Sequence, residues 1–413
     1  MSEIKERKAF YNDTIPCDWE IKSIGDLVLE MKSGLSRELS IEDIGLPVIR
    51  SNNLINNRVD FTDIKYWFKE DNQGAKTESY YLNDGDILVN FINSISQIGK
   101  CAYFENTINR PTIFTTNLMV VRFDKELIDS RYFLYQSLQN HYNKFVESIT
   151  KPAINQASFT TKDYKKLILP LPPLAEQRAI AKILGLMDGV INKHNELIAK
   201  KELHKKWLMQ NLLTGKKRLK GFDGEWREIH LGELFTERNE TNYNDLVLLS
   251  VGANGIYPQN DSVKKDTSNE DKSKYKRICI NDIGYNTMRM WQGRSALSSL
   301  EGIISPAYTV VKPNENANSL YFSYLFKTPK MMNLFWRNSQ GLVDDTLNCK
   351  YKDFSIIKVI VPTYEEQTAI ATILQAADRE IELLKAKVEK LREEKKGLMQ
   401  VLLTGRKRIL SEL

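Results

Sequence analysis

The chain has 413 residues, of which 42% are hydrophobic and 27% charged, and its formal net charge is +6. This length predicts two or three domains, each with a buried core. The mild positive charge permits contact with a polyanion but does not identify one. The N-terminus is polar, the four cysteines stand singly, and no apolar run approaches ~18 residues, so we expect a cytoplasmic protein without disulfides or a membrane span.

Residues 1–171 are predicted to form a globular unit of mixed α and β structure. Their apolar runs, such as LPVIRS, DILVNF and NLMVVRF, are short and rich in β-branched residues. Clusters of Asn, Asp, Gly and Ser separate these runs, and short runs bounded by such turn residues are typical of strands.

Residues 172–215 are predicted to form a long helix. The segment begins next to Pro173 and ends at Gly215, and these residue types favour helix starts and stops. Apolar residues recur three and four apart, as in a heptad seam. The seam residues are Ile180, Leu184, Met187, Ile191 and Ile198. The same row also contains His194, Lys201 and Lys205.

The second half of the chain repeats this order. Residues 216–361 contain short β-type runs such as LVLLSV and YTVVKP and are predicted to form a second globule. Residues 362–413 are predicted to form a second long helix, in whose seam only Lys395 breaks the apolar row. The seam residues of this helix are Ile370, Leu374, Ile381, Leu384, Val388 and Leu391.

The two helical segments are copies of one another. They align without a gap at a constant offset of 190 residues, so that Glu176 falls on Glu366 and the ending LLTGKKR falls on LLTGRKR. A helix of about 40 residues is about 60 Å long and cannot bury its apolar stripe alone. We therefore predict an α+β fold in which two mixed α/β globules are separated by two long helices. These helices are predicted to pair as an antiparallel coiled coil with pseudo-two-fold symmetry.

Known catalytic motifs are missing from the sequence. It has no GxxxxGK[ST] phosphate loop, no GxGxxG dinucleotide turn, no NPPY motif of amino-methyltransferases and no PD…ExK nuclease pattern. The four histidines also lack metal-ligand spacing. We therefore expect neither catalysis nor a metal site in this chain.

Each long helix opens with EQxxIAxIL and ends with LLTGxxR. Through these paired motifs the chain resembles the specificity subunits of type I restriction-modification systems, and the resemblance covers nearly its whole length. The second globule adds IGYNTMRMWQG followed by GIISPAYTVV, which is similar to a recurrent form of this family's target-recognition domain. The first globule carries the looser pattern VIRSNNL and GDILVN, with TTNLMVV in place of SPAYTVV. The two globules are therefore expected to read different sequences.

The resemblance implies a subunit that binds double-stranded DNA and has no catalytic activity of its own. Each target-recognition domain would read one half of a bipartite site. The helices would set the spacer and dock two methyltransferase subunits and, in some systems, restriction subunits. S-adenosylmethionine, and ATP with Mg²⁺, would bind those partner subunits, and this chain would hold no cofactor. Two modules on a rigid helix pair suit half-sites separated by about one helical turn, ~34 Å.

Polar side chains in the predicted loops are the candidates for DNA contacts. Arginine can make two hydrogen bonds to guanine, and asparagine or glutamine can make two to adenine. The candidates in the first globule are Arg37, Arg50, Asn52, Asn53, Asn90 and Asn93. The candidates in the second globule are Asn254, Gln259, Asn286, Arg289, Trp291, Gln292 and Arg294.

Two other classes of function remain open from the sequence alone. A coiled-coil scaffold with two protein- or ligand-binding globules would explain the helices but not the divergence of the globules. An enzyme with an unrecognised site would have no constellation of residues to support it.

Overall fold

The computed structural model describes residues 7–11, 13–153, 156–252, 255–261, 270–341 and 346–409. The chain divides into two compact units. Unit 1 comprises Met1–Lys193 and Val388–Leu413, and unit 2 comprises His194–Lys387. The predicted domain boundaries follow the ends of the long helices, whereas the compact units divide each long helix between them.

The first half of the chain contains short strands and helices followed by one long helix. The strands are β1 (Arg7–Phe10), β2 (Asp13–Pro16), β3 (Glu20–Ser23), β4 (Val28–Ser33), β5 (Gly45–Ile49), β6 (Leu54–Ile55), β7 (Arg58–Val59), β8 (Lys65–Phe68), β9 (Ile87–Asn90), β10 (Ile92–Asn93), β11 (Cys101–Tyr103), β12 (Ile113–Phe114), β13 (Leu118–Phe123), β14 (Lys151–Pro152), β15 (Ala157–Ser158) and β16 (Ile168–Leu171). The helices are α1 (Ser130–Gln136), α2 (Asn140–Ile149), α3 (Thr161–Tyr164) and the long α4 (Leu174–Leu212).

The second half has the same order of elements. The strands are β17 (Arg227–His230), β18 (Phe235–Glu237), β19 (Leu249–Gly252), β20 (Gly255–Pro258), β21 (Lys276–Ile278), β22 (Ile283–Asn286), β23 (Ser295–Leu297), β24 (Gly302–Ile304), β25 (Tyr308–Pro313) and β26 (Lys358–Val361). The helices are α5 (Leu231–Leu234), α6 (Ser319–Leu325), α7 (Pro329–Asn338), α8 (Tyr351–Ser355) and the long α9 (Tyr364–Leu402).

The main sheet of unit 1 has the strand order β4-β13-β9-β11-β7-β6. Strand β13 runs antiparallel to both of its neighbours, and successive side chains of a strand point to opposite faces of the sheet. Met119 and Val121 therefore enter one buried apolar cluster, while Leu118 and Val120 enter another on the opposite face. Both faces of the strand are covered, which explains why LMVVRF reads as a nearly continuous apolar run.

The main sheet of unit 2 has the strand order β18-β25-β22-β23, and all of its pairings are antiparallel. These strands correspond in order to β4, β13, β9 and β11, so the two units share a four-stranded core. Val311 and Val310 again enter different buried clusters. Unit 1 extends this core with β7 and β6, and this extension is one difference between the repeats.

A buried aspartate at the start of the corresponding strands binds an arginine in each unit. Asp86 accepts two hydrogen bonds from Arg122, at 2.9 and 2.7 Å, and Asp282 accepts two from Arg238, at 2.7 and 3.3 Å. Both aspartates are almost fully buried, so each charge requires such a partner. Both strands are preceded by this aspartate and begin with isoleucine, in GDILVN (residues 85–90) and NDIGYN (residues 281–286). The shared Asp-Ile therefore marks a structural ion pair.

The long helices have equal lengths, because α4 and α9 both contain 39 residues. Most of the predicted seam residues are buried, namely Ile180, Leu184, Ile191, Ile198, Ile370, Leu374, Ile381 and Val388. Met187, Leu384 and Leu391 are half-buried. Among the described residues, no helix has both the length and the apolar character needed to cross a bilayer.

The helices pair in antiparallel orientation within each unit. In unit 1, Asp188 of α4 binds Lys395 of α9 at 2.6 Å. In unit 2, Lys201 binds Glu380 at 2.6 Å, and Lys205 binds Asp378. Partner numbers fall on one helix as they rise on the other, so the predicted antiparallel pair of long helices is confirmed.

Candidate nucleic-acid interface

A buried glutamate at the start of α4 joins three distant parts of unit 1. Glu176 is 5% exposed and accepts two hydrogen bonds of 2.8 Å from Arg408, which follows the end of α9. The indole Nε1 of Trp19 donates to the same carboxylate at 3.2 Å, and the Arg408 guanidinium lies over the indole ring. Arg408 also binds Asp18 and lowers the pKa of that carboxyl. We call Trp19, Glu176 and Arg408 the first clamp.

Unit 2 repeats this arrangement with the copies of the same residues. Glu366 is 2% exposed and accepts two hydrogen bonds of 2.7 Å from Arg218, which follows the end of α4. Trp226 Nε1 donates to Glu366 at 3.3 Å, and Arg218 lies over its ring. We call these three residues the second clamp. In both clamps the opening motif of one helix binds the ending motif of the other, a pairing that sequence reasoning missed.

The glutamine of each EQ motif attaches the globule to its helix. Gln177 accepts a hydrogen bond from the Asp129 N–H at 3.0 Å and donates to the carbonyls of Leu127 and Pro172. Gln367 makes the corresponding bonds to Asn318, Asn316 and Pro362. Both side chains are 1% exposed, so the motif is used for internal attachment.

The lysines that break the apolar seams bind both a helix and a globule. Lys395 binds Asp188, whose carboxylate accepts a 2.8 Å hydrogen bond from the Tyr135 hydroxyl. The same lysine lies 5.2 Å from the centre of the Tyr135 ring. In unit 2 the corresponding residues make the same contacts: Lys205, Asp378 and Tyr324. We call these two sets the seam triads; together with the clamps they place both globules on the helices in the same way.

The units also differ at the hairpin that joins two neighbouring strands of the core sheet. The first hairpin (residues 91–100) joins β9 to β11, and the second hairpin (residues 287–294) joins β22 to β23. In the first, the Asn90 N–H donates to the Lys100 carbonyl at 2.9 Å. In the second, the Asn286 N–H donates to the Arg294 carbonyl at 3.0 Å. Lys100 and Arg294 therefore occupy equivalent positions.

The first hairpin forms one wall of a cleft of 790 Å³ in unit 1. Helix α2 and the turn at Asn56 and Asn57 form other parts of its lining, and Lys100 and Asn143 add polar groups. Gly99 allows the hairpin to pack this closely, because its φ is +79° and a Cβ there would lie 2.6 Å from a methyl group of Val146. Apolar side chains such as Leu54, Leu138 and Val146 line it as well, so the cleft offers a few hydrogen-bond donors on a largely apolar surface.

The second hairpin presents most of the predicted contact residues of unit 2. Arg289, Gln292 and Arg294 are exposed, and among the described residues neither arginine forms an ion pair. Asn286 and Trp291 are half-buried and shape the turn, because Asn286 Oδ1 accepts the Met288 N–H and the Trp291 indole donates to the Met288 carbonyl. The structure thus brings together five of the predicted residues in one short loop.

Several predicted residues of unit 1 serve the loops in which they lie. Arg37 makes two hydrogen bonds to the buried Asp71, at 2.8 and 2.7 Å, and lowers the pKa of that carboxyl. Arg50 binds Asp63 at 2.9 Å. Asn53 is 2% exposed and donates to two backbone carbonyls, so it stabilises its turn and is not available to a base in this conformation.

The remaining candidates fall into three groups. Asn52 is exposed on its turn. Asn90 is 2% exposed and accepts a 3.3 Å hydrogen bond from Asn93, so Asn90 supports the first hairpin from beneath. Gln259 is half-buried and accepts a hydrogen bond from Ser250, and Asn254 lies outside the described residues.

Sequence reasoning missed the exposed residues at the tip of the first hairpin. Ile95 is 75% exposed, and Ser94, Ser96 and Gln97 beside it are also exposed. The alignment of GDILVN with NDIGYN could have identified this loop, because it places the first hairpin at the position of TMRMWQG. Within the described part of the chain, no group of three or more His, Cys, Asp or Glu side chains is arranged to hold a metal ion.

The architecture defines a class of two-module proteins built on a shared helix pair, and comparison with known proteins gives the family. A model of the type I restriction modification DNA specificity domain matches the chain twice, at residues 16–203 and 224–393. The chain therefore belongs to the family of type I restriction-modification specificity subunits.

Relatives and solved structures agree with this assignment. The chain is 30% identical, over 96% of its length and 95% of the relative, to the specificity subunit assigned to type I restriction enzyme MjaX of Methanocaldococcus jannaschii. It is 25% identical to the MjaVIII specificity subunit of the same organism, with 97% and 96% covered. The fold is similar to that of the S subunit from M. genitalium, with a TM-score of 0.56 and 15% identity over 96% and 97% of the two chains. The HsdS subunit from Thermoanaerobacter tengcongensis gives a TM-score of 0.51 and 16% identity over 95% and 98%.

Proposed function

We propose that this chain selects the DNA sequence for a type I restriction-modification complex. Each globule acts as a target-recognition domain and reads one half of a bipartite site. The observation that carries the proposal is the contrast within the repeat: the clamps and seam triads are the same in both units, whereas the exposed hairpins differ. Two different recognition domains attached in the same way to one pair of helices are suited to a DNA site with two different halves. A coiled-coil scaffold for unrelated ligands is not favoured by the family.

The chain contributes recognition, and partner subunits contribute the chemistry. We place S-adenosylmethionine on two methyltransferase subunits that dock on the paired helices, and ATP with Mg²⁺ on restriction subunits. This division is supported by the family and by the missing phosphate-loop, dinucleotide and NPPY motifs in the sequence. Phosphate contacts supply most of the affinity, and a few side chains at base edges supply the sequence choice.

Exchange of one globule tests this function directly. Residues 226–355 are replaced by the matching region of a relative with a different target, and the complex with methyltransferase subunits is used to select duplexes from a random pool. The selected site should change in one half only, because the clamp residues Glu366 and Arg218 are retained.

The control is the reciprocal exchange of residues 19–165, which should change the other half of the site. Selection of no bipartite sequence by the unmodified complex contradicts the function, and a change in both halves contradicts the modular assignment.

The paired helices are proposed to set the spacer between the half-sites. Because the ion pairs of both units fix the register of α4 against α9, both helices must be lengthened together. Insertion of seven residues at facing positions of both helices adds about 10 Å, and the preferred spacer should grow by about three base pairs. Insertion into α4 alone is the control, and it should disrupt the pairing. An unchanged spacer preference after the double insertion would exclude this role.

A further inference from the structure

The two hairpins expose side chains of different chemistry. Ile95 is the large apolar side chain at the tip of the first hairpin, where it is 75% exposed. The second hairpin presents two arginines, Arg289 and Arg294, on either side of its turn. This difference bears on which bases each unit selects, and the inference rests on the function proposed above.

The polar groups of the first hairpin are largely engaged within it. Asn93 Oδ1 accepts the Ser94 N–H at 2.7 Å, and the Lys100 ammonium donates to the Gln97 amide oxygen at 2.8 Å. The Gln97 N–H also donates to the Ser94 carbonyl at 2.9 Å. These bonds engage polar groups on both sides of Ile95, which is an exposed apolar side chain of this hairpin.

The second hairpin also exposes an apolar side chain, because Met288 is 47% exposed, but it adds two exposed arginines. Its Met290 is buried, and the half-buried indole of Trp291 donates its N–H to the Met288 carbonyl. Arg294 follows Gly293, whose left-handed backbone (φ +75°) ends the turn. Arg294 is exposed, and among the described residues its guanidinium makes no side-chain hydrogen bond or ion pair, so its donors are available to a ligand.

Ile95 and Arg294 match different base edges in the major groove. The 5-methyl group of thymine is the apolar group on a base edge, and a protruding aliphatic side chain gains contact with it. Guanine presents two acceptors, O6 and N7, which a guanidinium binds with two parallel hydrogen bonds. Lysine offers a single point charge in place of the planar fork. Lys100, at the equivalent position of unit 1, already donates to the Gln97 amide oxygen.

We propose that Ile95 selects thymine in the half-site read by unit 1 and that Arg294 selects guanine in the half-site read by unit 2. A single exposed isoleucine elsewhere on a protein needs no such explanation. This one lies at the tip of a braced loop and lines the cleft of unit 1, on the hairpin that corresponds to the one carrying Arg294.

Base analogues test the isoleucine in the full complex with methyltransferase subunits. A bipartite site is first selected from random duplexes, and each thymine is then replaced by deoxyuridine, which removes only the methyl group. Loss of one methyl contact should weaken binding about fourfold at one position in one half-site. Ile95→Ala should bind the thymine and deoxyuridine duplexes equally. Ile41→Ala is the matched control, because Ile41 is 80% exposed in the same unit and should keep the fourfold difference.

The arginine is tested in the same way with 7-deazaguanine, which removes the N7 acceptor. One guanine in the other half-site should show a loss of about five- to tenfold, and Arg294→Lys should abolish that difference. Arg227→Lys, at an exposed position on β17, should keep it.

The outcomes separate this proposal from the function on which it rests. Failure to select any bipartite site contradicts the function itself. A bipartite site whose deoxyuridine and 7-deazaguanine losses persist in Ile95→Ala and Arg294→Lys overturns the assignment of bases to these side chains, while the subunit function stands.

Discussion

Unit 1 and unit 2 are alike where a globule meets the long helices and differ at their exposed hairpins. The clamps use the same three residue types with nearly the same distances, and so do the seam triads. The hairpins share only their position between corresponding strands. The comparison shows that the repeat preserves the contacts between each globule and the long helices, whereas the exposed hairpins differ.

The two clamps also differ in how the chain connects their parts. In the second clamp, Arg218 precedes Trp226 by a few residues, so the chain itself keeps them close. In the first clamp, Arg408 lies near one end of the sequence and Trp19 near the other. The strand β1 adds a further attachment there, because Arg7 donates to the carbonyls of Thr404 and Gly405. Unit 1 thus replaces a covalent connection with side-chain contacts.

Loss of the clamp glutamate should produce the largest difference in stability between the two units. Glu176→Ala removes both bonds to Arg408 and the bond to Trp19, and we expect a loss of roughly 2–4 kcal/mol in the free energy of unfolding of unit 1. Glu366→Ala should cost less in unit 2, because the short connection limits the entropy that Arg218 gains on release. Urea unfolding with hydrogen exchange measured by segment gives both values.

Glu365→Ala is the control for this pair, because Glu365 is exposed and lies next to the clamp glutamate. It should leave the urea midpoint nearly unchanged. Equal losses of unfolding free energy in the Glu176 and Glu366 variants would mean that the short chain connection in unit 2 does not reduce the cost of losing the clamp.

Local features of the fold were predictable from the sequence, and non-local ones were not. Heptad spacing repeats within a few residues, so it correctly predicted α4, α9 and their pairing. The clamps join residues such as Glu176 and Arg408, which no periodicity relates. Burial of an asparagine is likewise decided by tertiary contacts, so the sequence could not separate the exposed Asn52 from the buried Asn53 beside it. Ile95 was not among the candidates, because these were chosen for hydrogen bonding to base edges.

Acid should loosen unit 1 through His141, at a position where unit 2 has the exposed Lys330. The imidazole packs against Tyr11 and Phe10, and burial lowers its pKa to about 4. An unfolded histidine titrates near 6.5. Between these values the unfolded state binds more protons, so this contribution is fully present above pH 6.5 and is lost as the pH falls toward 4. The loss amounts to at most about 3 kcal/mol.

His141→Phe isolates this contribution, because it retains an aromatic ring that does not titrate. The difference in unfolding free energy between pH 7.5 and pH 4.5 should be smaller in the variant than in the parent protein, and hydrogen exchange should report the change in α1 and α2. An identical pH dependence in the two proteins would refute the role of this histidine.

The smallest expected contrast concerns the seam triads. Lys395→Met leaves Asp188 with the Tyr135 hydroxyl alone, and we expect a loss of about 1 kcal/mol, because the lysine is only partly exposed. Lys205→Met should cost less, because a second cation, Lys327, acts on Asp378. Burial and the charge of Lys205 both lower the pKa of Lys327, whereas the charge of Asp378 raises it, so removing Lys205 leaves the attraction between Lys327 and Asp378 in place.

The corresponding residue of unit 1 is Leu138, which offers no substitute charge. Lys327→Leu in the Lys205→Met background should therefore raise the cost in unit 2 to that of Lys395→Met in unit 1. A double-mutant cycle on urea midpoints measures this coupling. Additive effects of the two substitutions would show that Lys327 does not compensate, and the two triads would then be equivalent in energy as well as in geometry.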